Sequence, residues 1–131
     1  MSTDQLAASM PLMTTLGMNL VGASPEEVAA TVDWAEERCT AAGILHGGVL
    51  MALADTAGAI CAYLNLPPGA DTSTIESKTN FFRAVRDGTV RAVARPLHVG
   101  SMIVVVQTDL SDDGDRRVAQ VTQTQAVLPS R

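Results

Sequence analysis

The stretch ILHGGVLMALADTAGAICAYL, residues Ile44 to Leu64, limits what this chain can fold into more than any other. After His46 it is almost wholly apolar or small, and Asp55 is its one charged residue. Strands rarely run that long, and Ala, Leu and Met are strong helix formers. The pattern therefore predicts one helix of about five turns over His46–Leu64. The prolines of NLPPGAD stop it, since they cannot continue a helix. A helix apolar on every side is normally buried all round, so this one is expected at the centre of the fold. It contains Asp55, Thr56 and Gly58 and meets NLPPG before a membrane-spanning length, so no membrane span is expected.

Such a helix needs a cover, and the rest of the chain supplies strands. TSTIESKTNFFRAV, GTVRAVARPLHV, SMIVVVQTDL and RRVAQVTQTQAVL are strand-like, and their joints RDG, HVGS and SDDGD each carry a turn glycine. Two more β-prone pieces precede the helix, Gly17 to Val21 and Val28 to Trp34, separated by the turn SPEE. Short joints imply hairpins and an antiparallel meander. The expected class is α+β, one long buried central helix wrapped by an antiparallel sheet of five to six strands. The last run alternates Gln120, Thr122 and Thr124 with Val121, Gln123 and Gln125, so neither face is greasy. It reads as an edge strand or one paired across a subunit boundary. Residues 1–16 read as an N-terminal arm or short helix, with Leu6, Met10 and Met13 at helical spacing. Residues 17–128 form a single domain and 129–131 a tail, as 131 residues allow.

Charge and cysteines narrow the function classes. A net charge of −5 argues against nucleic-acid or anionic-membrane partners. Yet Lys78, Arg83, Arg86, Arg91 and Arg95 cluster with only Asp87 against them. They read either as solvated outer faces of strands or as an anion site for the phosphates of a carried substrate. Cys39 and Cys61 suggest no disulfide framework, and the N-terminus has no basic n-region, so the expected location is cytoplasmic. The two His and two Cys are far apart, so no metal site is expected. No G-x-S-x-G elbow, P-loop, G-x-G-x-x-G or H-E-x-x-H occurs, which leaves carboxylate chemistry as the main enzymatic option.

Asp55 is then the central residue. A lone carboxylate in an apolar helix is costly unless it is paired, hydrogen-bonded or held in a cleft. A functional site and a structural hydrogen bond stand level as explanations at this point. Gly47 and Gly48 open the helix where backbone N–H groups are unsatisfied, a seat for an anion or a reacting carbonyl oxygen, or simply a tight turn. Gly47 and Asp55 are eight residues apart, roughly 12 Å at 1.5 Å per residue, so one helix cannot bring both to one atom. A site using both needs two antiparallel helices, most simply from two subunits about a twofold axis.

LHGGVLMALADTAGA resembles the signature of hotdog-fold acyl-CoA thioesterases of the PaaI-like (phenylacetate-pathway) group, in which H-G-G is followed seven residues later by Asp or Glu. The run TIESKTNFFRAVRDGTVRAVARPLHVGS is similar to that group's next segment, and the resemblance covers Gly17 to Leu128. It implies hydrolysis of an aryl- or medium-chain acyl-CoA, with no cofactor beyond the coenzyme A of the substrate. Gly47 would donate its N–H to the thioester carbonyl, while Asp55 of the facing subunit attacks that carbonyl or activates water. Thr74 falls where a Ser or Thr holds the carboxylate or the water, and His46 shapes the loop. Arg83, His98, Gly100 and Ser101 would lie near the phosphates. Gly48, Met51, Phe81 and Phe82 would bind substrate, with Leu53 and Ala54 also lining an apolar pocket. The group carries N-x-x-G-x-x-H-G-G, whereas this chain has Thr40 in place of the amide, with Gly43 and His46 matching. A homodimer or homotetramer with sites between subunits is expected. The alternatives are a non-catalytic acyl-CoA-binding protein of the same fold and a hydratase or dehydratase, whose D-x-N-P-x-H motif is absent.

Overall fold

The computed structural model describes residues 2–130; residues 1 and 131, the outer ends of the expected arm and tail, lie outside the described residues. The arm is two short helices, α1 (Thr3–Ala8) and α2 (Pro11–Thr15). Ser2 and Gln5 form a reciprocal capping box at the start of α1, and Leu6 and Met13 pin the arm to the core. Strands β1 (Met18–Ala23) and β2 (Val28–Asp33) follow, then two single 3-10 turns, then α3 (Gly47–Leu64). The C-terminal half is β3 (Asp71–Phe81), β4 (Thr89–Val99), β5 (Ile103–Ser111) and β6 (Arg117–Leu128).

The six strands form one antiparallel sheet in the order β1-β2-β4-β5-β6-β3, with α3 packed on its inner face. The meander holds for β4-β5-β6. The RDG joint does not close a hairpin, because β3 pairs with β6 on the far side and the chain crosses over to place β4 beside β2. The polar last strand is accordingly neither an edge nor a subunit joint: β6 lies between β5 and β3, and β3 is the edge on that side, as β1 is on the other. Gln125 is accommodated inside by the hydroxyls of Thr72 and Thr74 on the neighbouring strand, whereas the Gln123 carboxamide packs against Gly58 of α3 without a hydrogen-bond partner among the described residues. The exposed β3 carries Thr72, Ser73, Thr74, Ser77 and Thr79, with a bulge at Ile75.

The sheet covers α3 on one side only, which corrects the expectation of burial all round. Nine α3 residues are buried, among them Leu50, Leu53, Ala57 and Cys61. Met51, Asp55 and Tyr63 are exposed along a stripe of the opposite face, with Met51 at 45% and Tyr63 at 43%. By length and hydropathy alone α3 is able to cross a bilayer, contrary to the sequence reading, but half of it is buried inside this domain. The core beneath it is small and aliphatic: Ala30, Ala92, Ala94, Val104, Val106 and Leu110 are fully buried. Small side chains let the helix lie close to the sheet.

The closest approach is at Gly58. A Cβ there would run into the carboxamide of Gln123, itself fully buried. Gly58→Ala gains about 1 kcal/mol of helix propensity but overpacks this contact, at roughly 1–3 kcal/mol. We expect urea denaturation to give a net loss of stability for Gly58→Ala. In a Gln123→Ala background the same change becomes neutral or stabilising, and a double-mutant cycle reads the coupling.

Candidate functional site

The start of α3 is built by its own sequence. His46 is extended at the N-cap, and its Nδ1 accepts the N–H of Gly48 at 2.7 Å. That bond fixes Nδ1 as the acceptor, so the proton of the neutral ring sits on Nε2. A Cβ on Gly48 would lie 2.8 Å from Nδ1, which is why glycine stands there. Gly48 thus spends its N–H on the cap, and the N–H of Gly47 has no acceptor among the described residues. A Cβ on Gly47 would sit 3.2 Å from the Phe81 ring, so backbone and ring define a narrow floor. Here a groove of about 290 Å³ is lined by Thr40, Ile44, Gly47, Leu50, Phe81 and Phe82. Thr40 donates its backbone N–H to Ile44 O at 2.8 Å.

Asp55 lies two turns on, in the uncovered stripe. Its carboxylate has neither a hydrogen-bond partner nor an ion pair among the described residues, so the structural explanation for this charge finds no support. Although it reaches the surface, mainly apolar surroundings raise its pKa above the ordinary 3.8 by desolvation. Gly47 meets Phe81 at one end of β3, while Ala59, Ile60 and Tyr63 share a hollow with Thr72 at the other. Helix and edge strand therefore run antiparallel, which sets the Asp55 turn alongside the middle of β3. Thr74 lies there, and its Oγ1 accepts from Gln125 Nε2 at 2.7 Å, while the Thr72 hydroxyl is shared between Ala126 O at 2.8 Å and Gln125 Oε1 at 3.2 Å. With that acceptor position filled, the Thr74 hydroxyl proton points elsewhere and is free to donate. Gln125 is the residue that sequence reasoning missed; its alternation with Gln123 was the available signal.

The other expected site residues separate. Leu53 and Ala54 are fully buried, so neither is open to line a groove within the single chain. Arg83 borders the Gly47 groove and a second hollow of about 230 Å³ that also holds Arg86 and Arg116. Asp87, Asp112 and Asp113 line that hollow too, so the local basic excess is largely balanced there. Arg116 is paired with Asp112 at 3.1 Å, and hydrogen bonds from Arg116 hold that carboxyl below its ordinary range. Arg95 is engaged with Glu27 at 2.7 Å on the outer face of the sheet. His98 near the end of β4, and Gly100 and Ser101 in the β4–β5 turn, lie at the far end of β4 from Arg83. Eleven residues of strand span about 35 Å, so within one chain Arg83 and His98 cannot contact one phosphate. Cys61 is buried and its thiol is pushed up to about 11, which excludes it as a thiolate nucleophile at neutral pH.

Comparison with known proteins meets this geometry directly. The model of the thioesterase superfamily matches residues 42–119, which contain the α3 start, Asp55 and β3. The chain is 35% identical over 86 residues to 1,4-dihydroxy-2-naphthoyl-CoA hydrolase of Escherichia coli, covering 66% of this chain and 63% of that protein. The same identity and coverage are found with the proofreading thioesterase EntH of Cronobacter sakazakii, so the chain spans less than two thirds of the length of either relative. A mutant thioesterase from Pseudomonas aeruginosa superposes with a TM-score of 0.92 at 29% identity, over 98% of this chain and 95% of that one. A thioesterase from Haemophilus influenzae gives 0.90 at 27% identity, over 98% and 91%. The six-stranded sheet around one long helix is thus the hotdog arrangement.

The environment of Asp55 has a consequence for stability. Its folded-state pKa lies above the unfolded value, so folding is favoured while both states are protonated and loses that advantage as pH rises through the folded value. At pH 7 the folded protein carries a charge it disfavours. Asp55→Asn removes it, and we expect the variant to melt at or above the wild-type temperature at pH 7. The gap should close as pH falls below 3.8, as measured by calorimetry across pH.

Proposed function

The chain belongs to the thioesterase superfamily, and from that premise we propose that it hydrolyses an aryl- or medium-chain acyl-CoA to the free acid and coenzyme A. One observation carries the reading: α3 presents an unpaired N–H at Gly47 and an unpaired, raised-pKa carboxylate at Asp55, both outside its buried face. The names of the relatives, a CoA-ester hydrolase and a thioesterase, support the same chemistry.

The reaction follows from what these groups can do. The Gly47 N–H, at the positive end of α3, donates to the thioester carbonyl oxygen and strengthens that bond as negative charge develops. Asp55 either attacks the carbonyl carbon, expelling the CoA thiolate and leaving an anhydride for water to cleave, or removes the proton of an attacking water. The raised pKa suits both roles, since it makes the carboxylate a stronger base. Roughly 12 Å of helix separates Gly47 from Asp55, so each site takes Gly47 from one subunit and Asp55 from another. The uncovered stripe with Met51 and Tyr63 supports a homodimer about a twofold axis, as does β3 with Ile75 63% exposed on an unpaired edge. A homotetramer is the larger assembly we consider. For Arg83 and His98 to contact one phosphate, His98, Gly100 and Ser101 would have to come from the facing subunit. Thr74, set as a donor by Gln125, holds the carboxylate or the water. Thr40 borders the Gly47 groove where related proteins have a longer amide, and this favours one second reading, an acyl-CoA-binding protein without turnover.

Thiol release from a panel of acyl-CoA esters separates the two. Asp55→Asn should lose at least about 100-fold in kcat while keeping its fold. Full turnover in that variant would remove Asp55 from the mechanism, and CoA-ester binding without hydrolysis by wild type would establish the second reading. The acid limb of kcat/KM should fall at a pH above the 3.8 of an ordinary aspartate, since only the ionised group acts. Gly47→Pro deletes the N–H at a helix position whose backbone accepts proline, and should cost about 10²–10³ in kcat beyond Gly47→Ala, which crowds the Phe81 ring but keeps the N–H. Refolding equal amounts of Asp55→Asn and Gly47→Pro together should restore about a quarter of wild-type activity if sites are shared, by statistical assortment of dimers. No recovery would place both groups in one chain.

A further inference from the structure

We propose that Ser77 is a positioning residue of the same site: oriented by the buried carboxamide of Gln123, its hydroxyl holds the Asp55 carboxylate. The inference rests on the thioesterase reading and adds to that site a residue pair which the sequence leaves unmarked.

The bulge in β3 brings two hydroxyls to one face. Thr74 and Ser77 are three residues apart, and in an unbroken strand they would face opposite sides. The extra residue at Ile75 shifts the register, so Thr74 pairs with Gln125 and Ser77 with Gln123. Both glutamines are buried and point into the fold, so the hydroxyls opposite them face inward as well. Ser77, on the edge strand, is nonetheless exposed.

Gln123 is fully buried, and both ends of its carboxamide are unpaired among the described residues. Thr79 and Thr108, on the strands to either side, flank Val121, the next inward position of β6. The hydroxyl oxygen of each is also buried without a partner. Buried polar groups are nearly always paired, so an unpaired cluster marks hydrogen-bonding capacity that the fold keeps for another use. The neighbouring rung shows that use. There Gln125 accepts from the shared Thr72 hydroxyl at Oε1 and donates from Nε2 to Thr74. The Gln123 rung has the same parts: Thr108 to donate to Oε1, and Ser77 to accept from Nε2. Directly paired side chains have Cβ atoms about 4.5–5.5 Å apart, and long side chains also reach their diagonal neighbours. The last torsion of glutamine is broad, so the carboxamide turns toward both without leaving its rotamer.

The helix sets Asp55 over this rung. Gly47 meets Phe81 and Gly58 meets Gln123, so β3 and β6 run beneath one flank of α3. At about 100° per residue, Asp55 lies within roughly 80° of both glycines, on that flank. It precedes Gly58 by three residues, about 4.5 Å along the axis. Ser77 lies one strand, about 4.8 Å, outward from Gln123. The Ser77 hydroxyl thus stands between Gln123 and the Asp55 turn. With its acceptor position filled by Gln123, its own proton is free for the carboxylate.

The test is thiol release from the acyl-CoA panel, octanoyl- and phenylacetyl-CoA included, by wild type, Ser77→Ala, Ser77→Thr, Gln123→Leu, and Ser77→Ala combined with Gln123→Leu. We expect Ser77→Ala and Gln123→Leu each to lower kcat at least about fivefold with KM within about twofold, and the combined variant to fall no further than the worse single one. Gln123→Leu should melt at or above the wild-type temperature, which separates its loss of turnover from any loss of fold. Ser77→Thr, which restores a hydroxyl, should recover most of the loss. Wild-type kcat in Ser77→Ala or in Gln123→Leu, losses that multiply in the combined variant, or no recovery with Ser77→Thr overturns the proposal while the thioesterase reading stands. If wild type hydrolyses no ester of the panel, the thioesterase reading fails, and carbon-13 NMR titration of the Asp55 carboxyl tests the bond alone. Losing a donor to the charged form should raise the midpoint by at least about half a pH unit in Ser77→Ala and in Gln123→Leu. An unchanged midpoint in either overturns the proposal. Should Gln123→Leu melt lower or fail to fold, Ser77→Ala and Ser77→Thr, at an exposed position, carry the decision in both assays.

Discussion

One sheet can cover only one side of a helix, and most of what is distinctive here follows from that limit. The α3 sequence is apolar around its whole circumference, yet the six strands bury only the face that carries Leu50, Leu53, Ala57 and Cys61. The uncovered face joins Met51, Ala59 and Tyr63 to one carboxylate. At about 25 cal/mol per Å² such a surface favours covering, and a second copy of the same helix is the cover that the proposed site also needs. Assembly and chemistry then share one cause. The groups that would react are those the sheet leaves out.

The sequence made the helix and its punctuation legible because the signals there are local: helix-forming composition, glycines at its start and paired prolines at its end. The H-G-G pattern likewise predicted where free N–H groups would lie, and the structure adds that His46 consumes that of Gly48 and leaves that of Gly47. Strand pairing was less legible, because the Phe81–Thr89 joint is short enough for a hairpin but carries the chain across to β2 instead. No local signal distinguishes these outcomes. Gln123 and Gln125 looked like the mark of an edge. They are interior because the true edge strand, β3, is richer still in hydroxyls. Arg83, Arg86, Arg91 and Arg95 formed a cluster in sequence that folding disperses, since β4 sends its arginines to the outer face while the loop before it faces Asp112 and Asp113.

That polar layer between β3 and β6 is expensive. Gln123 is fully buried, and neither atom of its carboxamide has a partner among the described residues. Orphaned buried groups of this kind cost about 1–3 kcal/mol each, and an aliphatic side chain would pack against Gly58 without that cost. Gln125, one rung away, is satisfied by Thr72 and Thr74 and orients a hydroxyl toward the middle of the edge strand. A chain built for stability alone would have continued the Val and Ala pattern of β5 into β6. Polar side chains are concentrated instead on the strand pair that flanks the Asp55 turn, where local rules are broken in company rather than singly.

The same logic applies to the carboxylate. In a lone subunit Asp55 is already partly desolvated, and closing a second helix over the stripe removes more water from it. Lower local polarity raises the cost of the charge and also strengthens every interaction it makes, so the bond from a backbone N–H to a developing oxyanion gains as the site dries. An isolated chain holds the carboxylate with one side uncovered and no hydrogen-bond partner among the described residues. In the proposed homodimer, pairing would supply both the low-dielectric wall and the Gly47 donor at once. On that proposal the destabilising charge in α3 and its uncovered stripe are two aspects of one arrangement, in which the reactive state would be reached through assembly and not through folding alone.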